Sequence, residues 1–561
     1  MNKNSKTPPA ERCSIWRLFE NCLSYHSLIS LKEDTEKAYR FYEGDQWHGI
    51  EMQNKDMLPV YNFIKPTVNY KVSMVAMNNM TINYSTPGKA DQETNKIIES
   101  LNLLALQCWE RLKMDSKCWA LVRAAAIAGE SFIYFFDKDM NSQIINNTDV
   151  FLGDETQADI QKQPYIIIAE RRDVNDVIAE AKANGVSKEQ CDSIIADNDK
   201  DNVVTTEKTK EEVKSDSGKC TCLLYFKLEK NGDLKFTRCT KHVVYQPEKV
   251  IKGYGIYPIA SLVFGAKKGT ARGHGEVLPL INNQIEVNRN LARRIINSKL
   301  TAYSRLVYAS EMIANPKALS EVGTAIEITG STVEDVNKYV KYISPAQMSP
   351  EAASLVNEIM HTSRELAGAG DAALGNIDPT QASGTSIIAV RDQAAIPLNE
   401  QAAAFKQLVE DIAKIWLKTF EVYGPVECDD QEINPASLRK LNPIVRIDVS
   451  NTSPFSKYAR EQALERLFVG KHISFEEYVK SLDSDSSVPK SKLESILKAR
   501  QEAIARENKQ KVNEEFNNLP GTMAELEAEV EAAKNKYVDN SGEMSELAEA
   551  ANLAEQMYGG V

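Results

Sequence analysis

The residues best equipped for metal chemistry surround a single hairpin. Cys220 and Cys222 precede an Asn231-Gly232 turn, and Cys239 and His242 follow it. Thiolates and imidazole are the ligand types that zinc takes in tetrahedral sets of four. The spacing argues against such a set, because C-x-C is not the usual C-x2-4-C knuckle. Cys239 and His242 are three apart and point to opposite faces of a strand. The reading adopted is free thiols on an ordinary sheet, with no metal and no cofactor. Nine cysteines, scattered from Cys13 to Cys428, fit a reducing compartment.

Other chemistries fare worse. The segment GAKKGTARGHGE (265–276) follows a strand-like ASLVFG and precedes a helix, which invites comparison with a phosphate loop. A phosphate loop needs G-x-x-x-x-G-K-[ST], so that backbone amides cradle phosphate and the lysine reaches over it. Here Lys267 and Lys268 precede Gly269, and Glu276 follows Gly275, where an acid would repel phosphate. The stretch is expected to be a flexible lead-in to the helix. Histidine occurs six times, at 26, 48, 242, 274, 361 and 472, without an H-E-x-x-H or a His/Cys/Asp set. Glu43 and Asp45 near His48 make no catalytic dyad by spacing alone. No enzyme is expected; ATP turnover or DNA cleavage by the purified protein would indicate one.

Basic residues on one helix are the remaining candidates. In 276–300, Asn282, Glu286, Arg289, Arg293 and Asn297 recur at helical spacing as a polar stripe. Leu278, Ile281, Ile285, Ala292 and Ile295 form an apolar stripe, and Leu280, Val287 and Leu291 a third flank. Two apolar sides and one wet side suit a wall of helices with neighbours on both sides. Spacing alone favours an amphipathic helix on one globular core. Arg289 and Arg293, then Lys299, could contact a polyanion, or the arginines could pair with Glu286 or a neighbouring subunit; both readings stay open.

The elements around this helix follow from pattern. The chain is expected to be α+β and predominantly helical. Apolar spacing predicts helix across 17–42, stopped by Gly44, and again from about Pro66. A short strand over 81–84 precedes one long helix over 91–128, ended by Gly129. Strands at 131–137 and 164–172, a short helix at 174–184 and a hairpin around Asn231-Gly232 complete a mixed body. Residues 197–217 read as a polar surface loop. An insertion at 301–343 carries strands at 305–309 and 324–329 and a small helix near 316–322. A second long helix starts with Ser349 as N-cap and Pro350 in its first turn, and runs to Gly368. Gly, Asp, Pro and Ser make 371–385 a mobile loop. A helix over 386–423 should break at Pro397, and strand 442–450 should return to the first body. Ser474 reads as an N-cap, and weakly amphipathic helices follow over 490–516 and 523–558.

In this order the segments resemble the portal proteins of tailed bacteriophages, over about 39–479. The carriers are RFYEGDQW (40–47), LPVYNFIKPTVNYKVS (58–73), RAAAIAGESFIYFF (123–136) and DVFLGDETQADIQKQPYIIIAERR (149–172). GHGEVLPLINNQIEVNRNLARR (273–294) and ALGNIDPTQASGTSIIAVRDQAA (373–395) complete the set. The resemblance implies a wing over 1–270, a first stem helix over 271–300, a clip over 301–345 and a second stem helix over 346–370. It further implies a tunnel loop over 371–385, a long wing helix and returning strand over 386–455, and a crown with an acidic tail over 456–561. Such a protein forms a ring, usually of twelve subunits, at one vertex of the capsid in the virion, after assembly in the host cytoplasm. Its partners are further copies of itself, the major capsid protein and scaffold, the terminase large subunit, head-completion or tail adaptor proteins, and the double-stranded DNA that passes through. Asn376, Asp378, Gln381, Ser383 and Thr385 would be the tunnel-loop residues, and Arg289, Arg293 and Lys299 the channel candidates.

Geometry and charge are compatible with this. Twelve helices side by side at about 9 Å enclose a bore roughly 24 Å across, enough for a duplex. The chain carries a net charge of −12, of which −9 falls between Glu514 and Glu555, leaving −3 for the rest. A conduit must not grip DNA, and phosphate contacts by Lys and Arg are what grip it. The rival reading is another phage structural or scaffold-like oligomer without a channel. No stretch is long and apolar enough for a membrane helix, and the N-terminus has no signal-peptide core.

Overall fold

The computed structural model describes residues 13–50, 58–86, 91–197, 218–301, 305–311, 313–320, 325, 327–329, 340–343, 350–370, 396–424, 426–428, 431–451, 454–470, 472–482, 492–493 and 495–497. The chain forms two units, Met1–Ser453 and Pro454–Val561. The loops at 198–217 and 371–385 and the helices expected over 523–558 lie outside the described residues.

Two stretches that read as single helices are broken in the structure. The first folds as α1 (Ser14–Leu28) and α2 (Leu31–Glu43). Ser30 between them is left-handed at φ 52°, which interrupts the hydrogen-bond ladder. The second folds as α4 (Gln92–Arg111) and α5 (Met114–Ala128), broken at Lys113, also at φ 52°. Apolar spacing continues across both breaks, so periodicity alone could not find them. The predicted stops are where expected: Gly44, at φ 100°, returns its N–H to Arg40, and Gly129, at φ 104°, returns its own to Ala125.

Between these helices lie α3 (Ile64–Ala76) and β1 (Asn78–Ser85). The strands β2 (Glu130–Phe135), β3 (Ser142–Ile145) and β9 (Ile259–Val263) form one sheet in the order β3-β2-β9. A second sheet runs in the order β4 (Val150–Leu152), β5 (Ile166–Asp173), β6 (Lys219–Leu228), β7 (Leu234–Cys239), β8 (Val244–Ile251). Every neighbouring pair in it is antiparallel. Helices α6 (Val174–Ala183) and α7 (Lys188–Asp192) follow β5.

A pair of long helices comes next. Helix α8 (Ile281–Thr301) leads to β10 (Arg305–Tyr308), which pairs antiparallel with β11 (Val340–Ile343), and α9 (Pro350–Leu366) follows. Of the strand expected over 324–329, the described residues show an isolated bridge from Ile328 to Ile313. The small helix of the insertion is a single 3-10 turn, Pro316–Ser320. Beyond Pro397, α10 (Asn399–Tyr423) begins, followed by β12 (Val426–Cys428), β13 (Gln431–Ile433), α11 (Pro435–Leu441) and β14 (Ile444–Asn451). As expected, β14 returns to the first body, pairing antiparallel with β1 and setting Ile447 opposite Ile82.

Helix α10 runs through the main core, with Leu408, Val409, Ile412, Ala413, Ile415 and Trp416 fully buried. Trp416 lies edge-on to Trp109 and Phe135, and Tyr84 donates to Ala413 O at 2.9 Å. These contacts bind α4, β1 and β2 to one helix. In the second unit, α12 (Pro454–Val469) and α13 (Phe475–Ser481) meet through Phe468, whose ring lies 5.8 Å from Phe475 and 5.1 Å from Tyr478. Ser474 caps α13 in a full capping box with Glu477, as the sequence suggests.

The glycine-rich stretch 265–276 is not a flexible lead-in. It crosses the end of α5 at backbone contact. A Cβ on Gly273 would fall 2.3 Å from Gly129 O, and one on Gly275 would fall 2.2 Å from Ile127 O. Glu276 N–H donates to Ala126 O at 2.8 Å and Phe264 N–H to Gly129 O at 2.9 Å. Glycine is needed here for close approach, not for mobility.

Arg272, 3% exposed, holds the crossing in place. Its Nε and Nη2 bond both oxygens of Glu155 at 2.8 Å, and its Nη1 bonds Glu130 at 2.9 Å. Nη2 also reaches Val150 O at 2.9 Å and lies 2.8 Å from His26 Nε2. The other oxygen of Glu130 accepts from Gly273 N–H. Burial pushes the Glu155 carboxyl up, but its contacts with His26 and Arg272 outweigh this and hold it at about 2. Its folded value is thus depressed, and the stability it contributes is present above about 4.5 and lost as pH falls towards 2. Glu155→Gln should cost about 3 kcal/mol near neutral pH by leaving Arg272 under-paired. Denaturant titrations should show the gap between wild type and variant closing between about pH 4.5 and pH 2; a gap independent of pH would contradict this assignment.

Candidate functional site

Helix α8 begins where the crossing ends, after a 3-10 turn at Leu278–Leu280. Lys71 of α3 pairs with Glu276 at 2.6 Å, just ahead of that turn. The apolar flanks point inward as expected, with Ile281, Val287 and Ala292 buried. The unexpected component is polar. Gln284 and Asn288, one turn apart, are buried at 0% and 2% exposure.

Their amides dock the helix onto the 59–63 segment ahead of α3. Gln284 Oε1 accepts from Phe63 N–H at 3.0 Å, and its Nε2 donates to Tyr61 O at 2.9 Å. Asn288 Oδ1 accepts from Tyr61 N–H at 3.1 Å and from Gln284 Nε2 at 3.0 Å. Asn288 Nδ2 donates to Gln46, which donates in turn to Phe41 O at 2.9 Å. Asn62 continues the network by donating to Tyr42 O at 2.9 Å. Backbone groups of a non-helical segment buried against α8 would otherwise lack partners; the side-chain amides supply them.

Helix α9 lies antiparallel to α8. Asn283, near the start of α8, donates to Ser363, near the end of α9, at 2.9 Å. At the far end of the pair, β10 and β11 form the tip. Burial falls along α8: no described residue beyond Ala292 is fully buried, so the first half is anchored and the second half leaves the core. On α9, Val356 and Ser363 are buried, whereas the apolar Leu355 and Leu366 are exposed, Leu366 at 80%.

The basic candidates lie on the outer face. Arg289 pairs with Glu286 at 2.8 Å, both half-exposed, which is the pairing alternative that the sequence left open. Arg293 donates to Asn290 at 3.3 Å and Lys299 is exposed, with no ion-pair partner among the described residues. The Arg289–Glu286 pair is solvent-facing and worth roughly 0–1 kcal/mol, whereas Arg293 rests on the buried Asn290. Asn376, Asp378, Gln381, Ser383 and Thr385 lie outside the described residues.

The metal candidates are not brought together. Cys220 and Cys222 share one face of β6, their sulfurs 3.9 Å apart, and pack with Val177, Cys191 and Tyr245. Cys239, opposite Leu223, is on the other face with Trp16 and Phe19. The pleat separates the two sets. Cys239 instead contacts Cys13, whose thiol its hydrogen bond holds down at about 6. No group of three or more potential ligands that could hold a metal occurs among the described residues, and the eight cysteines described are free thiols.

The amides of Gln284 and Asn288 are what reading the polar stripe missed. Their signal was present as an i, i+4 amide pair between two apolar flanks. A search of protein-family models finds no match to the chain, and a search of curated proteins finds none. Asn288→Ala should lower stability by about 2–3 kcal/mol, because Tyr61 N–H and Gln46 lose their buried partner. Arg289→Ala should change it by less than about 0.5 kcal/mol. Urea midpoints of the two variants check the contrast; equal effects would remove the amides from the anchoring role.

Proposed function

We propose that this chain is a portal protein of a tailed bacteriophage: one subunit of a ring, usually twelve-fold, at a unique capsid vertex. Terminase drives the genome in through the ring, the genome leaves through it at ejection, and head-completion or tail proteins attach to it. The observation that carries this reading is the antiparallel pair α8–α9 with a small strand-pair tip, rooted in a mixed body by buried amides. A helical hairpin that leaves its own core with apolar side chains uncovered calls for lateral neighbours. Leu355 and Leu366 on α9, and Val307 and Tyr308 at the tip, are such side chains.

The role asked of the ring is passage, and no catalytic step is assigned. Twelve stem helices would supply the roughly 24 Å bore estimated from helix packing distances. Arg289, Arg293 and Lys299 are the proposed guides: Arg289 is held by an exposed ion pair and can exchange its partner for a passing phosphate, and Arg293 and Lys299 are exposed on the same helix. The clip, over 301–345, is the proposed docking end for terminase and adaptor proteins, and the virion vertex the proposed location.

Electron microscopy of the purified chain should show discrete closed rings with a central channel. Arg289→Ala combined with Arg293→Ala should leave those rings unchanged and reduce the DNA content of virions. Monomers, elongated dimers or heterogeneous oligomers in place of rings would contradict the reading, and full DNA content in the double variant would remove the arginines from the guide role.

A further inference from the structure

Residues from both sheets of the body line a cavity of about 230 Å³. Its walls are aromatic. The Tyr134 ring on β2 lies 5.5 Å from Phe226 on β6 and 5.9 Å from Phe136, and Phe226 lies 6.3 Å from Phe236 on β7. Phe136 and Tyr423, each 49% exposed, are the solvent-facing members of this lining.

Two polar side chains in the lining lack partners where they need them. Gln246 on β8 is 7% exposed, and its Oε1 is buried without a hydrogen bond. Arg238 on β7 is its cross-strand partner, and Arg238 Nε is likewise buried and unbonded. The β7–β8 register shifts on both sides of this pair. Bulges of this kind bend a strand and re-aim its side chains, and they are frequent beside binding sites. An unpartnered buried amide is costly, and native structures keep few of them.

The acidic groups in the lining are already engaged. Asp137 accepts from Asn141 through both oxygens, at 2.8 and 2.7 Å. Glu180 is held by Arg172 at 2.7 Å and faces Arg238 at 3.6 Å. What remains to recognise a ligand is the Gln246 amide, with a donor and an acceptor side by side among aromatic rings, and the unbonded Arg238 Nε across the strand from it. That combination suits a planar heterocycle whose edge carries an acceptor beside a donor. Adenine has such an edge in N7 and the N6 amino group, which a glutamine amide reads in a bidentate manner, and aromatic side chains stack on any base.

We infer that this cavity binds an adenine-type base, its ring among Tyr134, Phe226 and Phe236 and its donor–acceptor edge on the Gln246 amide. The base could come from a free nucleotide or from a single strand of nucleic acid, and the recognition chemistry is the same for both. The inference is independent of the proposed ring.

Calorimetry of the full chain with adenosine, guanosine, cytidine and uridine tests it. Adenosine should bind saturably and at least tenfold more tightly than the other three. Gln246→Leu should weaken adenosine at least tenfold while its Tm stays the same or rises, since an unpaired amide is removed. Should that variant fail to fold, Gln246→Glu, which keeps the shape and loses the donor, should show the same loss. An oligo(dA) arm distinguishes the sources: affinity per base equal to that of adenosine marks a free nucleotide, and tenfold tighter binding marks a strand, either one supporting the site. No adenosine binding at millimolar concentration, equal binding of all four nucleosides, or unchanged binding in a folded Gln246 variant would overturn the assignment.

Discussion

One buried guanidinium organises the body. Taking Arg272 and its carboxylate partners out of water is expensive, and such a cluster is tolerated only when nearly every donor finds an acceptor. Here each nitrogen of Arg272 is bonded, and its partners come from separate parts of the chain: Glu130 at the start of β2, Glu155 from the β4–β5 connection and a carbonyl at the start of β4. His26, near the end of α1, closes the cluster by stacking on Phe151 at 4.4 Å. The guanidinium thus draws the glycine-rich crossing, the first helix and both sheets to one point. The glycines on either side let the crossing come near enough for this to happen.

That point sets where α8 starts, and the amides of Gln284 and Asn288 set how it is turned. An apolar interface would tolerate sliding or rotation of the helix by part of a turn. Amide bonds to the backbone of Tyr61 and Phe63 do not, because a shifted helix would leave those groups unpaired in the core. Helix α8 therefore has a rigid root and a freer distal half. Its exposed stripe carries Arg289, held only by a weak local pair. Firm placement of the root with exposed charge beyond it is the feature on which the proposed channel wall rests.

Much of the fold was readable from the sequence because it rests on local rules. Helix stops at Gly44 and Gly129, the Asn231-Gly232 hairpin and the Ser474 N-cap each depend on a few neighbouring residues; the stretch before Pro397 expected to be helical lies outside the described residues. The two long helices α8 and α9 were likewise visible in the sequence. What escaped depends on contacts distant in sequence. Arg272 reads as one base in a glycine-rich run until Glu130 and Glu155 are seen beside it. The glycines suggest mobility because composition does not reveal that another backbone lies against them. Ser30 and Lys113 break helices through a backbone conformation that carries no turn residue as a marker. The unpaired Gln246 amide arises from a register shift between two strands, which no spacing rule forecasts.

The glycine-rich crossing and the root of α8 form part of the rigid core and fix the α8–α9 pair to the body. Hydrogen–deuterium exchange resolved over 271–288 tests this most directly. The amides of Ala271, Gly273, His274 and Glu276, each bonded across the crossing or within it, should exchange as slowly as those of α10. Exchange of these amides at the rate of open loops, while α10 stays protected, would contradict the account.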